Sequence, residues 1–268
     1  SPHDVPGLYD SFFNDYTKFK MLYERAEKNQ NIRKKTIKAI SLFSQFMEER
    51  KNTGRIYLMN VDHANTHSSF NETVAPIKQS NLCCEINLPT KPLNAFSDDE
   101  GEIALCTLSA INWGNIKSVD EFEKPCELAV RGLDALIDYQ NYPVKAAESA
   151  TMNRRPLGVG IINLAYWLAK NDITYQNPNL SLVDEYAEAW SFYLIKASVE
   201  LAKEKGACLK SEDTKYAKGI TPNMTYKKDL DELVDHEERL PWDSLRSDLQ
   251  IHGIRNSTLM ALMPAETS

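Results

Sequence analysis

The five cysteines of this 268-residue chain include no C-x2-C pair, the spacing from which structural zinc sites are usually built. Five is also an odd number, and the chain is long enough not to need disulfide staples. Free thiols, a reducing compartment and a cytoplasmic location are therefore expected. Basic residues are few: 31 Lys and Arg stand against 38 Asp and Glu, for a formal net charge of −7. That excludes the electropositive footprint of a nucleic-acid binder. No apolar run approaches the ~20 residues of a membrane span. Residues 1–20 lack a basic stretch leading into an apolar core, so no secretory leader is expected in them. There is no internal repeat and no low-complexity segment. What remains is an ordinary globular balance, 42% hydrophobic and 26% charged.

Helical periodicity dominates. Residues 10–28 place Phe12, Tyr16, Phe19 and Tyr23 on one stripe, and residues 31–50 do the same with Ile32, Ala39, Ile40, Phe43 and Met47. Ser118 and Glu121 have the spacing of a capping box, and Phe122, Cys126, Ala129, Leu133 and Ile137 form the stripe that follows. Pro125 either kinks that helix or marks its first turn. "RRPLGVGIINLAYWLAK" reads as a helix entered through Pro156. The longest helix runs from a cap at Ser181 to Gly206, with Val183, Tyr186, Trp190, Leu194, Ala197 and Leu201 facing inward. Between these lie "RIYLMN" (55–60), "NLCCEINL" (81–88), "EIALCTLSAIN" (102–112) and "STLMALM" (257–263), each read as a strand. The last two are nearly continuous apolar runs, as in parallel strands covered on both faces. The fold class is α/β with helix in excess.

The candidate sites centre on "SNLCCEI" (80–86). A bridge between the adjacent Cys83 and Cys84 would be strained. His63 and His67 are four apart, but "HANTH" lacks the glutamate of a metalloprotease motif, so no metal site is expected. Cys126 and Cys208 read as small buried hydrophobes, and so does Cys106 on its residues alone. Cys83 differs because Asn81 and Glu85 flank it at i−2 and i+2. In an extended segment an amide, a thiol and a carboxylate would then share one side, an expensive set to bury without chemical purpose. It suits a reacting thiol beside a general base. "GVG" (158–160) reads as close helix packing, not phosphate binding. "MPAETS" reads equally as an anion-binding turn and as a plain helix cap.

At the level of whole motifs, "DVPGLYDSFF", "TGRIYLMNVDHANTH", "QSNLCCEINLPTKPLN", "GEIALCTLSAIN" and "RNSTLMALMPAETS" resemble the large (α) subunit of class I ribonucleotide reductase, in its bacterial and bacteriophage class Ia-type branch. The resemblance covers essentially all of residues 1–268 but not the whole of the much longer family chain. It implies part of a ten-stranded α/β barrel with a central finger loop near residues 80–88. It implies reduction of ribonucleoside diphosphates to 2′-deoxyribonucleoside diphosphates for DNA synthesis. Cys83 would become the transient thiyl radical that takes the ribose 3′-hydrogen. Glu85 would take the 3′-hydroxyl proton, and Asn81 would bond the substrate hydroxyls. Cys106 would be half of the redox pair that turns over each cycle. Substrate would be held by Ser80, Asn81, Leu82, Cys83, Cys84 and Glu85, and its diphosphate by a loop of Pro264, Ala265, Glu266, Thr267 and Ser268.

Two positions depart from the family pattern. Cys84 stands where an apolar residue is more usual, and is expected to point away from the other three as a packed structural thiol. Ala265 stands in place of a serine, removing one hydroxyl near the phosphates. The resemblance further implies no metal or cofactor bound by this chain. The radical would come from a small (β) subunit of the di-iron tyrosyl type. ATP and dNTP effectors would bind a regulatory cone absent here, and thioredoxin or glutaredoxin would act through an absent C-terminal tail. The other large-subunit segments are expected partners, and the chain is expected to be one piece of a split or interrupted subunit, inactive alone. A glycyl-radical enzyme of the formate-lyase type and a non-catalytic reductase remnant or assembly fragment are the alternatives.

Overall fold

A computed structural model describes residues 2–93, 95–98, 100–105, 107–176 and 178–264. The chain forms two compact units, residues 1–58 and 59–268. In the first, helices α1 (Leu8–Asn14), α2 (Tyr16–Lys28) and α3 (Ala39–Thr53) follow one another. The single helix expected over 10–28 is broken at Asp15. This residue leaves helical geometry, and its side chain accepts the backbone N–H of Lys18 at 2.9 Å, capping α2. The helix expected from residue 31 begins eight residues later, at Ala39. The aromatic stripe is real, with Phe12 and Phe19 ring centroids 5.1 Å apart. Neither α2 nor α3 contains a buried residue, however.

The second unit carries α4 (Val61–His67), β1 (Leu108–Asn112), α5 (Glu123–Tyr139), α6 (Lys145–Arg154), β2 (Gly158–Ile162), α7 (Leu164–Lys170), α8 (Leu180–Lys205), α9 (Pro222–Thr225) and α10 (Trp242–His252). β1 and β2 are parallel, with Leu108 opposite Gly158 and Asn112 opposite Ile162. Residues 257–263 add a third parallel segment on the far side of β2. Leu157 N–H donates to Thr258 O at 3.0 Å, Val159 N–H to Leu259 O at 2.7 Å, and Ala261 N–H to Val159 O at 3.3 Å. Of the four expected strands, 102–112 yields β1 at its end, Leu108–Asn112, and 257–263 pairs with Leu157 and β2 through Thr258, Leu259 and Ala261. "RIYLMN" forms no strand, and 81–88 is a turn. Among the described residues the barrel is not closed.

The main core joins β1, β2, α5, α7, α8 and α10. Phe122, Cys126, Val130, Leu133 and Ile137 of the α5 stripe pack with Tyr186, Trp190, Leu194, Ala197 and Leu201 of α8. Two expected caps are relocated. The α8 cap is Asn179, whose side chain accepts Leu182 N–H at 3.2 Å, and not Ser181. Ser118 makes no side-chain cap; Glu121 instead accepts the N–H of Lys117 at 2.8 Å. Pro125 lies in the first turn of α5, where its missing N–H has no helical acceptor.

The largest correction concerns 154–170, which is strand and then helix, not one helix. Arg155 precedes a proline, which disfavours the right-handed helix, and it takes a left-handed conformation with φ 46°. Its guanidinium then reaches α5, donating to Asp134 Oδ1 at 2.6 Å and Asp138 Oδ1 at 2.7 Å. The chain turns into β2, where the small glycines fit the tight flanks. A Cβ on Gly158 would lie 2.5 Å from Leu108 Cδ2, and one on Gly160 2.2 Å from Met263 Sδ. "GVG" is close packing as expected, but of a strand.

Candidate functional site

The finger segment is held at its base and free at its tip. Ser80 and Asn87 form an antiparallel bridge. Asn81 N–H donates to Ile86 O at 3.2 Å, and Cys84 N–H closes a turn onto Asn81 O at 3.2 Å. Cys84 has φ 65°, the left-handed conformation that glycine or asparagine more often supplies at such a turn. Ile86 and Leu88 are buried in a second core cluster with Phe70, Ala75, Ile77 and Ala261. Leu82, by contrast, is 86% exposed at the tip. The alternation that would bring Asn81, Cys83 and Glu85 to one side of a strand does not hold, because the backbone reverses between them.

Beside this turn is a cavity of about 550 Å³. That is within the range of small-molecule sites. Glu85 and Cys84 line it from the finger, Thr258, Met260 and Leu262 from the third parallel segment, and His67 from the end of α4. Cys84 thus faces a cavity, against the expectation of a packed thiol turned away. Cys83 is not among the residues lining it and is partly exposed. Glu85 Oε2 is buried with no hydrogen-bond partner among the described residues. A carboxylate oxygen left so is costly unless a donor arrives.

Lys215, which carries no recognisable motif, forms another wall of the cavity. Its Nζ donates to Asn65 O at 2.9 Å, Thr66 O at 2.7 Å and Ser68 O at 2.8 Å, collecting the last carbonyls around the α4 C-terminus. Burial lowers its pKa below the usual lysine value. His67 Nδ1 bonds Thr225 O, so that nitrogen carries the hydrogen. Asn65 stitches the next segment, accepting Ile77 N–H at 2.8 Å and donating to Ile77 O at 2.9 Å. None of these tertiary bonds leaves a trace in local sequence.

Burial raises the thiol of Cys126 to about 12 and that of Cys208 to about 11, which makes both inert and fits their reading as small hydrophobes. His63 and His67 stack edge to face at 5.8 Å. Among the described residues no three His, Cys, Asp or Glu side chains are grouped to hold a metal. No helix of the described residues is long and apolar enough to cross a membrane. Cys106, Ala265, Glu266, Thr267 and Ser268 lie outside the described residues. Pro264 is exposed. It follows the parallel segment at its carboxyl end, the side on which ligands of open parallel sheets bind.

The family model for the ribonucleotide reductase barrel domain matches residues 1–268. The chain is 57% identical to the ribonucleoside-diphosphate reductase subunit alpha of Haemophilus influenzae, over all of this chain and 36% of that protein. It is 56% identical to ribonucleoside-diphosphate reductase 1 subunit alpha of Escherichia coli, over all of this chain and 35% of that protein. The subunit alpha of enterobacteria phage T4 is 47% identical, with the same 35% covered. The chain therefore spans about a third of the length of these relatives.

Proposed function

Since the chain belongs to the ribonucleotide reductase barrel-domain family, we propose that it is the finger-loop segment of a class I-type large subunit that reduces ribonucleoside diphosphates. The observation that carries this reading is the Glu85 carboxylate, with one oxygen buried and unpartnered at a cavity beside the cysteine-bearing turn. A ribose hydroxyl is the donor that oxygen lacks. Cys83, two residues before it in the turn, is the radical thiol.

The reaction balances on two thiols. A thiyl at Cys83 takes the 3′-hydrogen atom, and Glu85 takes the 3′-hydroxyl proton. The 2′-hydroxyl leaves as water with a proton from one thiol of a pair formed by Cys106 and a second cysteine outside this chain. The pair supplies two electrons, its other hydrogen goes to C2′, and it ends as a disulfide. Glu85 returns its proton to the 3′-oxygen. The 3′-hydrogen then returns from Cys83, restoring the thiyl. The radical is delivered by a metal-containing small subunit. The diphosphate is held at 264–268 by backbone N–H groups and by Thr267 and Ser268. Activity needs the parts of the large subunit that this chain does not span, including those reached by effectors and by thioredoxin or glutaredoxin. The family match over every residue favours this chemistry over that of a glycyl-radical enzyme.

The test is to join the segment to the rest of a large subunit, supply the small subunit, and assay a ribonucleoside diphosphate labelled at the 3′-hydrogen. Cys106→Ser is expected still to break the 3′ carbon–hydrogen bond, releasing label that the unsubstituted enzyme returns to its product, while blocking clean deoxynucleotide formation. No conversion by the unsubstituted assembly would overturn the reading.

A further inference from the structure

The turn that presents Cys83 has an unusual closure. In a regular hydrogen-bonded antiparallel pair, Asn81 and Ile86 would exchange two backbone bonds. Only one is present: Asn81 N–H donates to Ile86 O at 3.2 Å. The Asn81 carbonyl is engaged instead by Cys84 N–H at 3.2 Å, which forms the inner turn. The Ile86 N–H would then lack an acceptor, and it finds the Asn81 side chain, donating to Oδ1 at 3.1 Å. A backbone N–H can only donate, so the atom facing it must be the amide oxygen and not the nitrogen. The Ser80 hydroxyl has one hydrogen to give, and both Asn81 O at 3.2 Å and Asn81 Oδ1 at 3.4 Å lie within its reach.

We infer that Asn81 is a positioning residue for Cys83, its side-chain oxygen standing in for a backbone carbonyl to splint the finger turn. The inference deepens the reading of this site as a reductase and rests on it for the role of Cys83. It assigns the two ends of one amide to different tasks. Oδ1 belongs to the loop, and only Nδ2 is left to donate to a substrate oxygen. The consequence is steric and local. Without Oδ1, Ile86 N–H loses its acceptor and the outer closure of the turn rests on one backbone bond. The Cys83 thiol is enclosed by both closures, and with the outer one weakened the inner turn that carries it can shift as a unit. A displacement of 1 Å at a reacting atom costs about 100-fold in rate.

Asparagine alone of the common residues supplies both tasks at this length, and aspartate supplies only the first. Amide hydrogen exchange at Ile86, measured on the full chain in its native assembly, separates them. Asn81→Ala is expected to lose Ile86 protection, and Asn81→Asp to restore it. In the same assembly, Asn81→Ala, which loses the Nδ2 donor as well, is expected to lower kcat by about 100-fold, and Asn81→Asp to recover part of that loss. Ile86 protection unchanged in Asn81→Ala would overturn the inference, whatever the activity. So would an Asn81→Ala variant whose only defect is a raised KM. Failure of the unsubstituted assembly to reduce any ribonucleotide would sink the reductase reading, yet leave the exchange result at Ile86 to stand or fall by itself.

Discussion

Ile86 at the base of the finger lies over Gly158 of β2: a Cβ placed on that glycine would stand 2.8 Å from Ile86 Cδ1. The same added atom would be 2.5 Å from Leu108 Cδ2 on β1 and 3.0 Å from the Ala261 Cβ. The bare backbone of Gly158 is therefore the floor on which the finger sits, and it joins loop position to sheet packing.

Gly158→Ala is accordingly expected to destabilise the chain by about 1–3 kcal/mol, the usual range for overpacking. The strain falls on side chains from three segments, so relaxation must move the finger base or the sheet. Denaturant unfolding in the native assembly measures the first effect. A wild-type midpoint for Gly158→Ala would show that the finger base is looser than described.

The four described thiols should divide into two classes. Cys83 and Cys84 are partly exposed, whereas Cys126 and Cys208 are buried with thiol pKa values raised to about 12 and about 11. A thiol reagent at pH 8 is expected to label Cys83 and Cys84 in the native state, and Cys126 and Cys208 only after unfolding. Peptide mass mapping reads the pattern. Native labelling of Cys126 would contradict its place between α5 and α8.

A buried charge cluster ties α5 to the turn before β2. Asp134, wholly buried, accepts Arg155 Nε at 2.6 Å and Asn256 Nδ2 at 3.1 Å. Asp134→Ala leaves the buried Arg155 short of a counter-charge and is expected to cost about 3–5 kcal/mol. Asp138, more exposed, has its pKa lowered, chiefly by the Arg155 hydrogen bond. A depressed carboxylate adds stability above its unfolded pKa of about 3.9, and that stability is lost as pH falls through the folded value. Asp138→Asn should therefore flatten the acid limb of the stability–pH curve and leave its alkaline limb unchanged. An unchanged acid limb would remove Asp138 from the linkage.

The helices α5 and α8 could be read from the sequence because their apolar spacing is local, whereas α4, α6, α9 and α10 are not among the expected helices. The α5 and α8 stripes pack as their periods require. The element order around Pro156 could not, because its cause is distant. Arg155 leaves the helix toward Asp134, and strand pairing with Leu108 and Leu259 then claims the residues that follow. The finger shows the same division. Its residue types, Asn81, Cys83 and Glu85, are conspicuous, but their arrangement as a turn depends on a side chain replacing a carbonyl, which no periodicity encodes. The Cys84 placement failed for that reason, since a left-handed residue breaks the alternation from which its side was inferred. Lys215 was invisible because its three acceptors lie about 150 residues upstream.

The most direct test of the site compares two adjacent residues. In the large subunit carrying this segment, supplied with its small subunit, Cys83→Ser and Cys84→Ser are assayed side by side for conversion of a ribonucleoside diphosphate to its deoxynucleotide. Cys83→Ser is expected to abolish conversion, because a serine hydroxyl does not form the radical. Cys84→Ser is expected to keep turnover of the same order as the unsubstituted enzyme. Sustained turnover by Cys83→Ser, or its loss only in Cys84→Ser, would contradict the assignment of the radical to Cys83.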